Sequence, residues 1–276
     1  MENQIHFESK KINLTNGFYF NFKPNIIEKS DKLILIIPDI CESIDVYNKF
    51  LKKLEEKRIS TVIFDLPGHG KSSGRRGGFF SEEIYKEIIK KIIDHINPKN
   101  GFSIYTSGLL APLIISFIPA IKQLIWLRSI AISGFNFSAN YKFFINILLN
   151  SIFKSYKKVN FYNYIKDKTY DDYSFKKLIL ENDISCNQDL KMILSLLKIS
   201  RISLKKYYEN LVPIFFAFGN KQKAFNLNSR IFKNIVYNKR LPIKFFLYSS
   251  GHSIHIASED MVEKFILNYL DFLSIC

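Results

Sequence analysis

Cysteine is scarce in this sequence. The 276 residues contain three, Cys41, Cys186 and Cys276. Their odd number and wide spacing exclude a disulfide framework, and they do not match the ligand spacing of a zinc site. We therefore expect no metal and no cofactor. A reducing compartment such as the cytoplasm suits these thiols best.

Long apolar runs are also missing. The N-terminus, which begins Met-Glu-Asn-Gln-Ile-His, has no basic flank followed by an apolar run, so we expect no signal peptide. The longest apolar stretch, residues 109–121, contains Pro112 and Pro119 and is shorter than the roughly 20 residues of a membrane span. Both absences predict a soluble, cytoplasmic protein.

Acidic residues are few, with 25 Asp and Glu against 40 Lys and Arg, a formal net charge of +15. Such a surplus raises the question of nucleic-acid binding. The lysines are scattered, however, and Ile, Lys, Asn, Phe and Tyr are all abundant, which is typical of a compositional bias. We predict a solvated surface and no nucleic-acid partner. The alternative left open is a basic face held near anionic membrane lipid.

Short buried-strand patterns alternate with helical patterns over most of the chain. Strands are predicted over residues 10–23, 32–37, 60–64, 102–106, 129–133, 212–218 and 243–248. Helices are predicted over residues 47–57, from Ser81 onward, over 110–118 and over 261–273. This alternation indicates βαβ units and therefore an α/β fold with a mostly parallel sheet.

The alternation breaks between Phe135 and Tyr208, where the sequence is helical in pattern and rich in Tyr, Phe and Lys. A strand pattern resumes at Val212. We therefore predict one domain over residues 1–276, with a helical cap inserted over residues 135–208. The aromatic residues at the start of this cap suit the mouth of an acyl-chain site or, equally, a packed core.

The loop after the predicted strand 60–64 carries the most specific motif. It reads Asp65-Leu-Pro-Gly-His-Gly-Lys-Ser-Ser-Gly-Arg-Arg-Gly77. This closely resembles the D-x-x-G-H-G-x-S-x-G-x-x-G signature of the monoacylglycerol lipase and lysophospholipase branch of α/β-hydrolases, also called serine aminopeptidase-like. The resemblance implies an α/β-hydrolase fold with helices on both sheet faces, and ester hydrolysis on a lipid-like substrate. In that family the loop is structural, and we interpret His69 in the same way, with a catalytic role as the alternative.

The resemblance places the nucleophile at Ser107, within Tyr105-Thr-Ser-Gly-Leu109. A serine needs a sharp turn between strand and helix to expose it, and a histidine to accept its proton. The glycines of the family's G-x-S-x-G motif are Tyr105 and Leu109 here. The alternative is that Ser107 only caps the helix that begins near Gly108.

The same resemblance places the general base at His252, in Ser249-Ser-Gly-His-Ser-Ile-His255, and the acid at Gln222. Glutamine can orient an imidazole, but it cannot stabilise an imidazolium by charge; that loss lowers turnover about ten-thousand-fold in a serine protease. His252 and His255, without a nearby carboxylate, do not make a credible metal site.

The oxyanion hole would use backbone N–H groups, those of Ile40 and Gly108. The family's His-Gly pair is Pro38-Asp39 in this sequence, although Glu42 and Tyr47 match its later positions. A carboxylate at Asp39 would oppose a forming oxyanion unless it were protonated or turned away.

The departures from the family pattern cluster at the predicted chemistry: Pro38-Asp39, Tyr105, Leu109 and Gln222. Two functions follow. The first is a serine hydrolase that cleaves a small lipid-like ester through a Ser107–His252 dyad. The second is a catalytically silent α/β-hydrolase that binds a lipid or a protein partner. The sequence favours the first, because the serine and the histidine both stand where the resemblance puts them.

Overall fold

A computed structural model describes residues 10–15, 17, 19–27, 30–78, 81–98, 100–108, 110–122, 126–134, 158–160, 187–189, 212–219, 243–251 and 253–274. The strands in these residues are β1 Lys10–Asn13, β2 Tyr19–Asn25, β3 Leu33–Ile37, β4 Ser60–Phe64, β5 Phe102–Ser107, β6 Leu127–Ser133, β7 Lys158–Asn160, β8 Asn187–Asp189, β9 Ile214–Gly219 and β10 Ile243–Tyr248. The α-helices are α1 Asn48–Glu56, α2 Glu82–Ile96, α3 Ala111–Lys122 and α4 Glu259–Ser274.

Eight of these strands form one sheet in the order β1-β2-β4-β3-β5-β6-β9-β10. In this sheet the β1–β2 and β2–β4 pairs are antiparallel. The other five neighbouring pairs, β4–β3, β3–β5, β5–β6, β6–β9 and β9–β10, are parallel. The predicted α/β class with a mostly parallel sheet is therefore confirmed. The predicted strand over residues 10–23 is two strands, β1 and the start of β2, folded into a hairpin.

The central strands form because their side chains are covered on both faces. All five residues of β4 and all six of β5 are buried. Continuous apolar runs without alternation are what a strand with helices on both sides requires. The core therefore lies on both faces of β3, β4, β5, β6 and β9.

The two sheet faces are assigned by the direction of the crossovers. The connection from β3 to β4 through α1 runs one way along the sheet, and the connection from β5 to β6 through α3 runs the other way. Because parallel crossovers are right-handed, helices α1 and α3 cover opposite faces. Helix α4 lies on the face of α1, since Phe265 of α4 packs on Phe50 of α1 with ring centroids 5.9 Å apart.

Most of the predicted cap, residues 135–208, lies outside the described residues. This includes the aromatic residues at its start. The part that is described consists of β7 and β8, which pair antiparallel and were not predicted. Strand β8 is fastened to the glycine-rich loop: Asp189 forms an ion pair with Arg75, and its N–H donates to the Gly77 carbonyl at 2.7 Å. Strand β9 then pairs with β6, so the chain between them is an insertion between neighbouring strands.

None of the helices in the described part of the chain combines the length and the apolar character needed to cross a membrane.

Candidate active site

The predicted site lies where the parallel strands end. In open parallel sheets, ligands bind at the carboxyl edge of the strands. The loop after β3, the turn after β5 and the loop after β10 all leave the sheet at this edge. These three segments carry Ile40, Ser107 and His252, which the resemblance assigned to catalysis, whereas the acid position Gln222 follows β9 in the sequence.

The glycine-rich loop is held by its first residue. The buried Asp65 carboxylate accepts hydrogen bonds from the Asn21 side-chain amide, from the Ile44 N–H and from the Lys71 N–H, each at 2.9 Å. Gly70, at a φ of +45°, lies so close that a Cβ there would overlap this carboxylate. The motif Asp and Gly therefore shape the loop and tie it to the loop after β3.

His69 is buried within the same loop. Its Nδ1 lies 3.0 Å from the Pro67 carbonyl oxygen, and its Nε2 accepts a hydrogen bond from the Cys41 N–H at 3.3 Å. Burial lowers the pKa of His69, which favours the neutral ring with the proton on Nδ1. Both ring nitrogens thus bind backbone atoms, which agrees with the interpretation of His69 as a structural residue.

Ser107 is the last residue of β5 and is fully buried, with 0% of its surface exposed. It pairs in register with Ser133 of β6, so it is still part of the sheet. Its side chain lies on the same face as Tyr105, two residues earlier, because side chains alternate along a strand. Tyr105 packs against Phe50 and Phe265, which puts this face toward α1 and α4.

The turn that follows β5 has Gly108 at its apex. Gly108 has a φ of +58°, whereas the described non-glycine residues with positive φ are Cys41, Arg58 and Asn97. The nucleophile of an α/β-hydrolase stands on a sharp, strained strand-to-helix turn. In this chain that backbone conformation belongs to the glycine one residue beyond Ser107.

The Gly108 N–H, a predicted oxyanion donor, already takes part in a hydrogen bond within the protein. It donates to the Ser133 carbonyl at 3.0 Å. The other predicted donor, Ile40, is a buried residue of the loop after β3. Their role in binding an oxyanion stays a prediction.

The Asp39 carboxylate lies directly over the turn. Its Oδ1 accepts a hydrogen bond from the Leu110 N–H at 3.2 Å, just before α3. A Cβ built on Gly108 would come within 2.5 Å of the Asp39 Cγ and closer still to Oδ2. The carboxylate therefore fills the space above the apex.

A buried cluster of Glu42, Tyr47, Tyr105 and His255 lies beneath the loop after β3. The Tyr47 hydroxyl donates to Glu42 Oε2 at 2.5 Å, and His255 Nε2 lies 3.2 Å from Glu42 Oε1. The Tyr105 hydroxyl and His255 Nδ1 share a hydrogen bond of 2.9 Å. Glu42, 213 positions away in the chain, thus places a carboxylate beside His255 that the sequence around the histidine did not indicate. The match of Glu42 and Tyr47 to the family was the available signal.

The electrostatics of this cluster favour a charged Glu42. Burial by itself raises the pKa of the Glu42 carboxyl, but the charge of protonated His255 and the hydrogen bonds from Tyr47 and from the Asp39 N–H outweigh it, so the pKa is lowered. Burial and the Glu42 charge together raise the pKa of Tyr47 well above its usual value. Tyr47 therefore remains a neutral donor.

The predicted base and the predicted acid position, His252 and Gln222, lie outside the described residues. Their flanking backbone is described. Gly219, at the end of β9, packs so closely on the Gly251 carbonyl that a Cβ there would overlap it. The Ile254 N–H donates to Ser133 Oγ at 2.9 Å. Gly251 and Ile254 therefore lie at the ends of β9 and β6, respectively. The dyad itself stays a prediction.

A cavity of about 530 Å³ lies at the opposite edge of the sheet, where Leu33, Phe102 and Leu127 begin their strands. It is remote from Ser107 and Gly108. Its position at the amino ends of the strands gives it no part in the predicted chemistry.

The sheet order, the crossovers and the three loops at the carboxyl edge define the α/β-hydrolase fold. Residues 28–106 match the sequence model described as "Serine aminopeptidase, S33". This agrees with the resemblance seen in the glycine-rich loop. The match ends one residue before Ser107, so it covers neither the turn after β5 nor the predicted base and acid positions. The comparison with curated proteins gave no match.

Solved structures with the same fold include several lipases and esterases. A soluble variant of monoglyceride lipase from Saccharomyces cerevisiae, in complex with a substrate analogue, superposes with a TM-score of 0.78 at 14% identity, covering 99% of this chain and 96% of that one. A monoacylglycerol lipase from Paleococcus ferrophilus gives 0.67 at 16% identity, covering 97% and 98%. A carboxyl esterase from Bacillus coagulans, in complex with glycerol, gives 0.70 at 15% identity, covering 98% and 99%. These likenesses show that the chain has the α/β-hydrolase fold.

Proposed function

We propose that this protein is a catalytically silent α/β-hydrolase that binds a lipid-like ligand at the carboxyl edge of its sheet. The observation that carries the proposal is Gly108, which has no side chain, at the apex of the turn where the fold presents its nucleophile. A serine hydrolase needs a hydroxyl at that position, within reach of its histidine.

The burial of Ser107 supports the same proposal. Its side chain lies in the interior on the face of α1 and α4 and has no exposed surface. A nucleophile has to meet its substrate carbonyl at about 3 Å. For Ser107 to do so, the end of β5 would have to leave the sheet and break its pairing with Ser133.

The lipid-like ligand is proposed from the fold relatives, among which are a monoglyceride lipase and a monoacylglycerol lipase. A binding protein can retain the acyl-chain site of such a fold after the chemistry has been lost. Binding would then need only an apolar cleft and a few polar groups, and not an activated serine.

Labelling with a fluorophosphonate probe tests the catalytic part of the proposal. We expect the folded wild-type protein to label no more than its Ser107→Ala variant. The exposed Ser274 provides a matched control as Ser274→Ala. Labelling that disappears in Ser107→Ala but persists in Ser274→Ala would overturn the proposal.

That outcome would establish the second candidate, hydrolysis of a lipid-like ester by a Ser107–His252 dyad. The hydrogen bond from the Ile254 N–H to Ser133 Oγ favours this candidate, because it holds the loop containing His252 beside the strand that pairs with Ser107. Loss of labelling in His252→Ala as well as in Ser107→Ala would identify the base.

Binding is tested with a non-hydrolysable ligand, a glycerol that carries one ether-linked alkyl chain. We expect the ligand to raise the melting temperature saturably, since a ligand at 100 times its dissociation constant adds about 2.7 kcal/mol to stability. Glycerol alone is the control without the chain. If no chain length shifts the melting temperature, the lipid ligand is wrong, and a protein partner is the remaining alternative.

A further inference from the structure

We propose that Asp39 and Gly108 are a complementary exchange, in which the Asp39 carboxylate has taken the space of the nucleophile side chain. This inference deepens the proposed function and rests on it. In the family that the sequence resembles, the position of Asp39 is the glycine of a His-Gly pair, and the turn after β5 carries the serine. Here the glycine is in the turn and the side chain comes from the loop after β3.

The steric argument starts from Gly108. A Cβ at this position would lie 2.5 Å from the Asp39 Cγ, with Oδ1 at 3.1 Å and Oδ2 closer still. Real Cβ atoms essentially never approach other heavy atoms to less than 3.0 Å. Serine at position 108 therefore requires the Asp39 carboxylate to leave its present place and give up the hydrogen bond from the Leu110 N–H.

The backbone at Asp39 is held in place, which fixes the point from which its side chain extends. Its own N–H donates to Glu42 Oε2 at 2.9 Å, and the Glu42 N–H returns a hydrogen bond to the Asp39 carbonyl at 3.2 Å. Glu42 is in turn fixed by Tyr47 and His255. Rotating the carboxylate away would break its hydrogen bond with the Leu110 N–H.

Electrostatics explain why a carboxylate is stable there. Asp39 Oδ1 accepts from the Leu110 N–H, immediately before α3, and the N-terminus of a helix favours negative charge. In a working hydrolase, N–H groups near this turn stabilise the oxyanion of the reaction. The Asp39 carboxylate lies in the same region, where its negative charge would oppose an oxyanion.

A thermal double-mutant cycle tests the exchange without relying on activity. Gly108→Ala should lower the melting temperature by about 8 °C or more in the wild-type background, where it meets Asp39. In the Asp39→Gly background, Gly108→Ala should lower the melting temperature by only about 3 °C. This smaller loss is the strain of placing a side chain on left-handed backbone. Equal costs in the two backgrounds would overturn the inference.

Labelling gives an independent readout. The double variant Asp39→Gly with Gly108→Ser restores the family's pair of residues, and we expect it to label with a fluorophosphonate while neither single variant does. Labelling of Gly108→Ser alone, as strong as that of the double variant, would overturn the exchange because the serine would then have room beside Asp39. Ser107-dependent labelling of the wild type would instead refute the proposed function, so the two failures are distinguishable.

Discussion

The imidazole of His255 lies parallel to the ring of Tyr47, with centroids 4.1 Å apart and 10° between the planes. Both side chains are fully buried. Tyr47 belongs to the segment after β3, and His255 to the loop after β10 that contains His252. The stack, with Glu42 bridging both residues, therefore fixes two of the three loops of the carboxyl edge relative to each other.

The first prediction concerns the charge of Glu42. Glu42→Gln keeps the shape of the side chain but removes the buried carboxylate that accepts from the Tyr47 hydroxyl and the Asp39 N–H and lies beside His255 Nε2. Disrupting buried hydrogen bonds to a charged group costs about 1.5–3 kcal/mol. Urea denaturation at pH 7 measures this loss. Glu263→Gln, which removes the half-exposed partner of Lys57, is the control and should change stability little. An equally small effect of Glu42→Gln would show that the charge of Glu42 does not stabilise the cluster.

The second prediction concerns pH and His69. Its folded-state pKa is lowered by burial, so the unfolded chain binds more protons at any pH between the folded value and the usual value near 6.5. Stability therefore rises with pH in this window. The contribution is complete above about pH 6.5 and is lost as the pH falls through the folded pKa.

His69→Gln removes this titration. We expect the free energy of unfolding of the wild type to fall more steeply between pH 7.5 and pH 5 than that of the variant. Chemical denaturation over this range gives both slopes, and the difference at pH 8 isolates the lost hydrogen bonds. Parallel slopes would mean that the ring can be protonated without disturbing the Cys41 N–H.

The third prediction compares two glycines with positive φ. Gly70→Ala would push a Cβ into the Asp65 carboxylate, while Gly17→Ala at a φ of +80° would meet nothing within 4 Å. We expect a loss of about 1 kcal/mol for Gly17→Ala from the backbone alone. Gly70→Ala should cost about 4 kcal/mol or prevent folding, because it also disrupts the hydrogen bonds of Asp65. Thermal melts of the two variants decide this, and equal losses would contradict a structural role for Gly70.

The strands and helices of the sheet could be predicted because their signals are local. A continuous apolar run such as residues 60–64 can only be buried on both faces, and the structure has β4 over that range. The start of α2 was marked by Ser81, which occupies the N-cap with extended backbone, and by Glu82 and Glu83 in the first turn. The strand pair β7–β8 was missed because each strand has only three residues, too few to show a period.

The candidate site was less predictable because it depends on single positions. A motif alignment cannot tell whether Ser107 or Gly108 occupies the apex of the turn after β5. The two residues are adjacent, and the answer depends only on where the strand ends. A slip of one residue along a strand exchanges the two faces. The approach of Asp39 to Gly108 and that of Glu42 to His255 depend on the tertiary arrangement of separate loops, which no local pattern encodes.

Tyr105 distinguishes these two alignments of the turn. The sequence alignment that makes Ser107 the nucleophile puts Tyr105 at a glycine of the family motif. In the structure, its ring instead packs on Phe50, Phe265 and His255, with centroids 4.8, 5.6 and 5.9 Å away. With Gly108 at the apex, the residue two positions before it is Thr106, and Tyr105 belongs to the core between β5, α1 and α4.

The fourth prediction follows from this packing. Tyr105→Gly should cost about 4 kcal/mol or more, since it leaves a large cavity in the core, and it should not increase fluorophosphonate labelling. Tyr105→Phe keeps the ring and removes the hydroxyl that bonds to His255 Nδ1 and to the Ser133 side chain, for a loss of about 1–3 kcal/mol. Urea denaturation of both variants, with labelling of each, measures these effects. If Tyr105→Gly folded with little loss and became reactive in a Ser107-dependent manner, Ser107 would be the residue of the hydrolase turn, and the assignment of Gly108 to the apex would have to be given up.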